Sequence, residues 1–201
     1  MDLFSNEKRV LKLPNAEVIY VPNFFALKTA SNYFKIFKER VAWQQDDIKI
    51  FGKTYKQPRL TALYSINNQS YSYSGITMFP NAFTPELIQI KETVEKTCSH
   101  EFNSVLLNYY RNGNDSNGWH ADNEKELGTH PVIASISFGE PRYFHFKHRE
   151  LSTKKHKLLL EHGSLLIMKG EMQQFWLHQI AKTKQQIGGR INLTFRNLKP
   201  L

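Results

Sequence analysis

Cysteine is nearly missing from this chain. Cys98 is the only one in 201 residues, which excludes an internal disulfide and a cysteine-rich zinc site and fits a reducing compartment. Acidic residues are also scarce. Eighteen Asp and Glu face 27 Lys and Arg, and the resulting charge of +9 favours an anionic partner, nucleic acid before a membrane surface. No stretch approaches the ~18 consecutive apolar residues of a membrane-spanning helix, so no membrane partner is expected. The first nine residues carry Asp2, Glu7, Lys8 and Arg9 where a signal peptide would have its apolar core. Internal repeats and low-complexity linkers are absent too, so one domain over 1–201 is expected, acting as a monomer. A short chain without a charged tail fits a bacterial cytoplasm, or a nucleus if the source is eukaryotic.

What is present is a 40% hydrophobic, 13% aromatic chain, enough for a sizeable core. Ala30, Phe34, Phe37 and Val41 recur at helical spacing and predict an amphipathic helix over about 27–42. Thr84 and Pro85 read as N-cap and first turn of a second helix, with Leu87, Ile90, Val94 and Cys98 along its apolar stripe. From Glu101 onward the texture changes. Short apolar runs at 104–110, 132–138, 143–146, 157–160, 164–168 and 191–195 alternate with Gly, Asn and Pro turns. That rhythm predicts an antiparallel jelly roll, mainly β within an α+β class, braced on one side by the helices.

The last strand is the most informative. Period-2 alternation places Arg190, Asn192, Thr194 and Arg196 on one face and Ile191, Leu193 and Phe195 on the other. Two guanidinium forks with short hydrogen-bonding groups between them suit a small dicarboxylate gripped at both ends. A metal-ligand pattern lies upstream. His120 and Asp122, two apart, leave the same side of an extended segment, and His178 follows 58 residues later in an aromatic stretch. Two histidines and one carboxylate on one face is the ligand set of non-haem Fe(II) oxygenases. Singly these residues mean little: His-x-Asp is expected by chance about 0.2 times in such a composition, and a lone His178 could be a satisfied core histidine. Asn108 and Tyr110 share a strand face and could hydrogen-bond a keto acid held by the arginines. Iron ligation needs neutral imidazoles, so activity should fall below pH about 6.5, the free histidine value.

Asn108-x-Tyr110, His120-x-Asp122-x-Glu124, Ser135-x-Ser137-Phe138-Gly139, His162-Gly163-Ser164-Leu165, His178 and Arg190-x-Asn192-Leu193-Thr194-Phe195-Arg196 together resemble the AlkB family. Its members are Fe(II)- and 2-oxoglutarate-dependent dioxygenases that repair alkylated bases, and the likeness looks nearest to the branch acting on duplex DNA. The resemblance implies that His120, Asp122 and His178 bind Fe(II). It implies that Asn108, Tyr110, Arg190, Asn192, Thr194 and Arg196 hold 2-oxoglutarate, with O2 as second cosubstrate. The reaction implied is hydroxylation of a methyl on a base nitrogen of N1-methyladenine or N3-methylcytosine, releasing formaldehyde, succinate and CO2. Residues 1–100 would then carry helices and nucleotide-recognition hairpins, and 101–201 the catalytic jelly roll.

Substrate contacts follow in the same way, each with a plainer alternative. Tyr71 and Tyr73 share a face and could contact a flipped base or simply pack across strands. Phe51, before Gly52 and Lys53, resembles an apolar wedge that fills the gap left by the flipped base; it could equally be buried. Arg59 and Tyr64 match the same branch. Glu124 is suited to accept from an exocyclic amino group, or is merely solvated. Arg142 and the basic groups at 147–149, 154–157, 182 and 184 would grip phosphates if loops gather them around one mouth. Lys182-Thr183-Lys184 is thinner in charge than expected of the duplex-acting enzymes, which bears on strand preference. The same chemistry on RNA or protein, a non-catalytic nucleic-acid-binding jelly roll, and a hydrolytic zinc site remain alternatives on sequence grounds.

Overall fold

Alternation along the strands decides which face of each sheet is wet, helical or sealed. The computed structural model describes residues 8–50, 52–67, 71–73 and 76–200, with backbone alone at 49–50, 71–73 and 76. In chain order the elements are β1 (Arg9–Leu13), β2 (Ala16–Val21), α1 (Leu27–Arg40), β3 (Asp47–Ile50), β4 (Lys53–Lys56), β5 (Leu60–Ser65), β6 (Tyr71–Tyr73) and β7 (Ile76–Met78). There follow α2 (Pro85–Cys98), β8 (Ser104–Tyr110), β9 (Asn117–His120), β10 (Ile133–Gly139), β11 (Arg142–His148), β12 (Lys155–Leu160), β13 (Ser164–Lys169), α3 (Met172–Phe175), β14 (Trp176–Ile180) and β15 (Arg190–Arg196).

Seven strands form one antiparallel sheet in the order β1-β2-β13-β10-β15-β8-β5, and four form a second in the order β12-β11-β14-β9. The two face each other as a jelly roll. Their shared interior is apolar at one end: Tyr20, Leu106, Ile133, Leu166 and Met168 of the large sheet meet Phe144, Phe146, Leu160, Trp176 and Ile180 of the small one. The opposite face of the large sheet is covered by helices. Ala30 and Phe37 of α1 and Leu87, Ile90, Val94 and Cys98 of α2 pack with Leu107, Ile136, Phe138, Ile191, Leu193 and Phe195. At roughly 1.5–3 kcal/mol for each large aliphatic or aromatic side chain buried, this second core holds the helices in place. Thr84 caps α2 as the sequence predicts, its hydroxyl accepting the Leu87 N–H at 3.3 Å.

The expected jelly roll with bracing helices is present, but its strands do not begin at 101. β1, β2 and β5 all belong to the seven-stranded sheet, β2 pairing with β13 and β5 with β8. Two small hairpins, β3–β4 and β6–β7, stand apart from both sheets.

Two of the family-like motifs turn out to be joints of this fold. The Gly139 N–H donates to His162 Nδ1 and the Gly163 N–H to the Ser137 carbonyl, each at 2.8 Å, locking the end of β10 to the start of β13. Gly163 has φ +75°, and a Cβ there would lie 2.6 Å from the Phe25 carbonyl oxygen, so no other residue fits.

Candidate metal and dicarboxylate site

β15 runs between β10 and β8, so its polar face is walled on both sides. Arg190, Asn192 and Thr194 stand opposite Tyr110, Asn108 and Leu106 of β8, and opposite Gly139, Ser137 and Ser135 of β10. With the small sheet above, Arg190, Asn192, Thr194, Tyr110, Asn108, Leu106 and Ser135 line a cavity of about 120 Å³ that also reaches His120, Asp122 and His178. The alternation read from the sequence therefore points into the molecule, and the polar face of β15 meets a cavity in place of bulk water.

His178 on β14 and His120 on β9 are direct cross-strand partners, their ring centroids 4.3 Å apart. Asp122 lies just past β9, and one ligand atom from each of the three falls within 4.8 Å of the others. His120 Nδ1 contacts the Gly118 carbonyl oxygen at 2.8 Å, which places the proton on Nδ1 and the lone pair on Nε2. Burial pushes the His178 imidazole down to about 3, and lowers His120 as well, so both rings are neutral near pH 7. Burial alone would raise Asp122; the charge of the Arg196 guanidinium and its hydrogen bond outweigh that and hold the carboxyl at about 2. His178 Nδ1 is sealed from solvent with no hydrogen-bond partner among the described residues. Neutral imidazoles, an ionised carboxylate and an unsatisfied ring nitrogen fit a divalent first-row metal, and the absence of thiolate suits iron over structural zinc.

Arginine roles divide. Arg196 donates from Nη2 to Asp122 Oδ1 at 3.0 Å, so one guanidinium of the pair is committed to the carboxylate ligand. Arg190 is different. Its Nη2 donates to Ser137 Oγ at 2.8 Å and Tyr110 stands within hydrogen-bonding reach of the guanidinium, while Nε and Nη1 are sealed from solvent with no closely aligned partner among the described residues. Burial brings this guanidinium down to about 10, and the Tyr110 ring lies 5.3 Å away. A buried cation with two unmet donors fits one carboxylate of a dicarboxylic acid.

The other expected cosubstrate residues line the same cavity, with their hydrogen bonds partly spoken for. Asn192 Nδ2 donates to Ser135 Oγ at 2.7 Å and to the Ile136 carbonyl at 2.9 Å, and its Oδ1 accepts from the Thr194 hydroxyl at 2.9 Å. Asn192 therefore stiffens the β10–β15 pair and can offer a ligand only a remaining carbonyl lone pair. Asn108 Oδ1 accepts from Arg59 Nε at 2.7 Å, which leaves its amide hydrogens for the cavity.

Sequence reasoning missed Gln173. This buried side chain on α3 accepts the Asp122 N–H at 2.9 Å and so fixes the loop that carries the carboxylate to the segment that leads into His178. No motif marks it, because its role depends on a contact 51 residues away in the chain. Asn117 was also missed; its Nδ2 lies 3.2 Å from His120 Nε2.

Substrate candidates are placed unevenly. Arg59 and Glu124 line the cavity, and Lys53 stands exposed on the β3–β4 hairpin. Tyr71 and Tyr73 lie on β6, with their side chains outside the described residues, as is Phe51 altogether. Two expectations are corrected. Tyr64 is buried on the helix side of β5, among Ala62, Leu87 and Val105, because odd positions of that strand face the cavity and even ones the helices. Arg142 does not reach for phosphate: it is buried and its Nη atoms donate to the carbonyls of Asn112, Asp115 and Ala181, tying the loop before β9 to the loop after β14. Of the basic groups, Arg149, Lys154, Lys182 and Lys184 lie in loops and the rest do not. Lys147, Lys155 and Lys157 are on strands β11 and β12, and His148 is buried.

Residues 17–196 match the family model described as the 2OG-Fe(II) oxygenase superfamily. Among curated proteins, the chain is 40% identical over 199 residues to the alpha-ketoglutarate-dependent dioxygenase alkB homolog 3 of Bos taurus, spanning 92% of this chain and 67% of that protein. It is 37% identical over 161 residues to the DNA oxidative demethylase ALKBH2 of Bos taurus, spanning 76% of this chain and 58% of that one. Among solved structures, that of OsALKBH1 superposes with a TM-score of 0.66 at 17% identity, over 94% of this chain and all of the other. At that identity the superposition speaks for the fold alone.

Proposed function

The chain belongs to the AlkB family of the 2OG-Fe(II) oxygenase superfamily, and from that membership we propose that it oxidatively demethylates N1-methyladenine and N3-methylcytosine in DNA. The observation that carries the reading is one cavity bounded at one end by His120, Asp122 and His178 and holding the two unmet donors of Arg190. The name DNA oxidative demethylase borne by relatives 36–37% identical to the chain, and a net charge of +9, support DNA as the substrate.

Fe(II) held by His120, Asp122 and His178 would supply the coupling of O2 activation to oxidative decarboxylation of 2-oxoglutarate, which transfers one oxygen atom to the substrate methyl. Everything else falls to the chain's own groups. Arg190 binds one cosubstrate carboxylate as a buried counter-charge, with Tyr110 beside it and the Asn108 amide as a further donor, oriented by Arg59. Thr194 and Asn192 border the same ligand. Arg196 holds Asp122 ionised and aimed. The alkylated base, unreachable inside a helix, is flipped toward Glu124, whose carboxylate accepts from the exocyclic amino group. Tyr71 and Tyr73 of β6 and Lys53 of β4 serve the flipped strand, and Phe51 fills the gap that the base leaves. Once the methyl carries a hydroxyl, the N–CH2OH bond breaks to give formaldehyde and the unmodified base, a step that needs no catalyst beyond water.

The test is formaldehyde release from an oligonucleotide with one N1-methyladenine, single-stranded and duplex, with Fe(II) and 2-oxoglutarate. Release that stops when either is withheld supports the reading. Consumption of 2-oxoglutarate with no formaldehyde would refute this substrate class, and preference for the same lesion in RNA would refute DNA.

A further inference from the structure

The outward face of the four-stranded sheet has no role in the chemistry above, and no described helix covers it. None of its strands β9, β11, β12 and β14 contains an Asp or a Glu. Their outward positions include Trp119, Tyr143, His145, Lys147, Lys155 and Lys157. Both aromatics are exposed, Trp119 at 40% and Tyr143 at 47%, an unusual outlay of apolar surface on a strand. Each ring already carries a cation: Lys147 Nζ lies 4.4 Å from the Trp119 ring centroid, and Lys157 Nζ lies 3.6 Å from that of Tyr143.

We propose that this face is a docking surface for single-stranded DNA, with Trp119 and Tyr143 stacking on unpaired bases and Lys147, Lys155 and Lys157 pairing with the phosphates. Trp119 and Tyr143 stand on strands separated only by β14, so roughly 10 Å apart from the spacing of strands, a span that two bases of one extended strand can cover. Lys147 and Lys157 exchange a ring face, which holds them weakly, for a phosphate, which holds them more strongly, and in doing so free the ring for a base. Duplex DNA offers no free base faces to such a platform. The inference names the partner surface of the nucleic-acid reading, yet its test needs no catalysis.

Fluorescence anisotropy of an unmodified single-stranded oligonucleotide, titrated with the intact protein at several salt concentrations, reads the proposal. Tyr143→Ala should weaken binding at least about fivefold and Tyr143→Phe should restore it, because stacking contributes ~1–3 kcal/mol per base. The triple variant Lys147→Ala, Lys155→Ala, Lys157→Ala should lower the slope of log affinity against log salt by about 2, at ~0.7 per phosphate on a single strand. Thermal melts of each variant separate lost binding from lost fold. Wild-type affinity and salt slope in both variants would overturn the surface. Equal affinity for duplex, with Tyr143→Ala neutral, would overturn the stacking, and tighter binding of the same sequence as RNA would overturn the choice of DNA. If binding behaves as expected and demethylation fails, the proposed reaction falls while the surface stands.

Discussion

Arg196 and Asp122 form a buried ion pair at 3.0 Å beside His120 and His178, each side chain below a tenth exposed. Such a pair adds little net stability, since two desolvation penalties offset the attraction, but removing one partner strands the other charge. Its value here is to keep a carboxylate ionised and pointed while buried.

Replacing Arg196 by Met should therefore cost about 3–5 kcal/mol of folding stability and lower metal affinity by about 10–100-fold. Denaturant melts and Co(II) titration of the apo protein check both. The double variant Arg196→Met, Asp122→Leu should recover much of the stability and none of the metal binding. A double variant no more stable than the single would show that the pair is not the source of the loss.

Arg190 separates from Arg196 by function. Arg190→Met should raise the KM for 2-oxoglutarate by 10²-fold or more, from the loss of charge-assisted bonds worth ~1.5–3 kcal/mol each, with Co(II) affinity close to wild type. Steady-state kinetics beside metal titration resolves the two. Equal loss of metal would place Arg190 in the support of the cluster and not on the cosubstrate.

Gln173→Leu keeps the volume and removes the acceptor for the Asp122 N–H. Metal affinity should fall about 10–100-fold with the melting temperature little changed once that N–H finds water. Unchanged Co(II) binding would mean the loop is held well enough by its other contacts.

Acid should act at lower pH than free histidine suggests. A loss of activity below pH about 6.5 was the expectation from sequence, but burial lowers both ligands, His178 to about 3. The unfolded chain takes up protons on these rings as pH falls through ~6.5, whereas in the folded chain His178 resists until about 3 and burial holds His120 below its ordinary value as well. The unfolded state thus binds more protons throughout that window, and apo stability declines steadily as pH drops across it. Melting temperatures of the apo protein from pH 7 to 4 should show the decline, and His178→Leu should flatten it. Activity should extend below pH 6.5 for the same reason.

How much of this was readable beforehand depended on whether a residue's role was local. The polar face of β15 and the β8 pair Asn108 and Tyr110 follow from period-2 alternation, which the backbone imposes wherever a strand forms, whereas Asp122 lies past the end of β9 and is brought beside His120 by the loop. Tyr64 misled because β5, Leu-Thr-Ala-Leu-Tyr-Ser, is buried on both faces; nothing in such a run says which side meets the cavity. Arg142 misled because a buried guanidinium that collects carbonyls and an exposed one that collects phosphates have the same neighbours in sequence. β1 and β2 were not foreseen as jelly-roll strands, since their partner β13 lies far along the chain. Gln173 had no local signature at all.

That last pairing has a bearing on how the molecule comes into being. Val21 sits opposite Leu165, and Ile19 opposite Ile167, so the first hairpin can dock only after some 140 further residues are available to it. Contacts of such sequence separation are slow to close and leave strand edges open in the meantime. His178 and the β15 arginines come later still in the chain. On the ribosome the early hairpin must wait, unpaired on one side, and the group of His120, Asp122 and His178 is completed among the last steps of folding, so a nascent or truncated chain lacks both a closed sheet and that group.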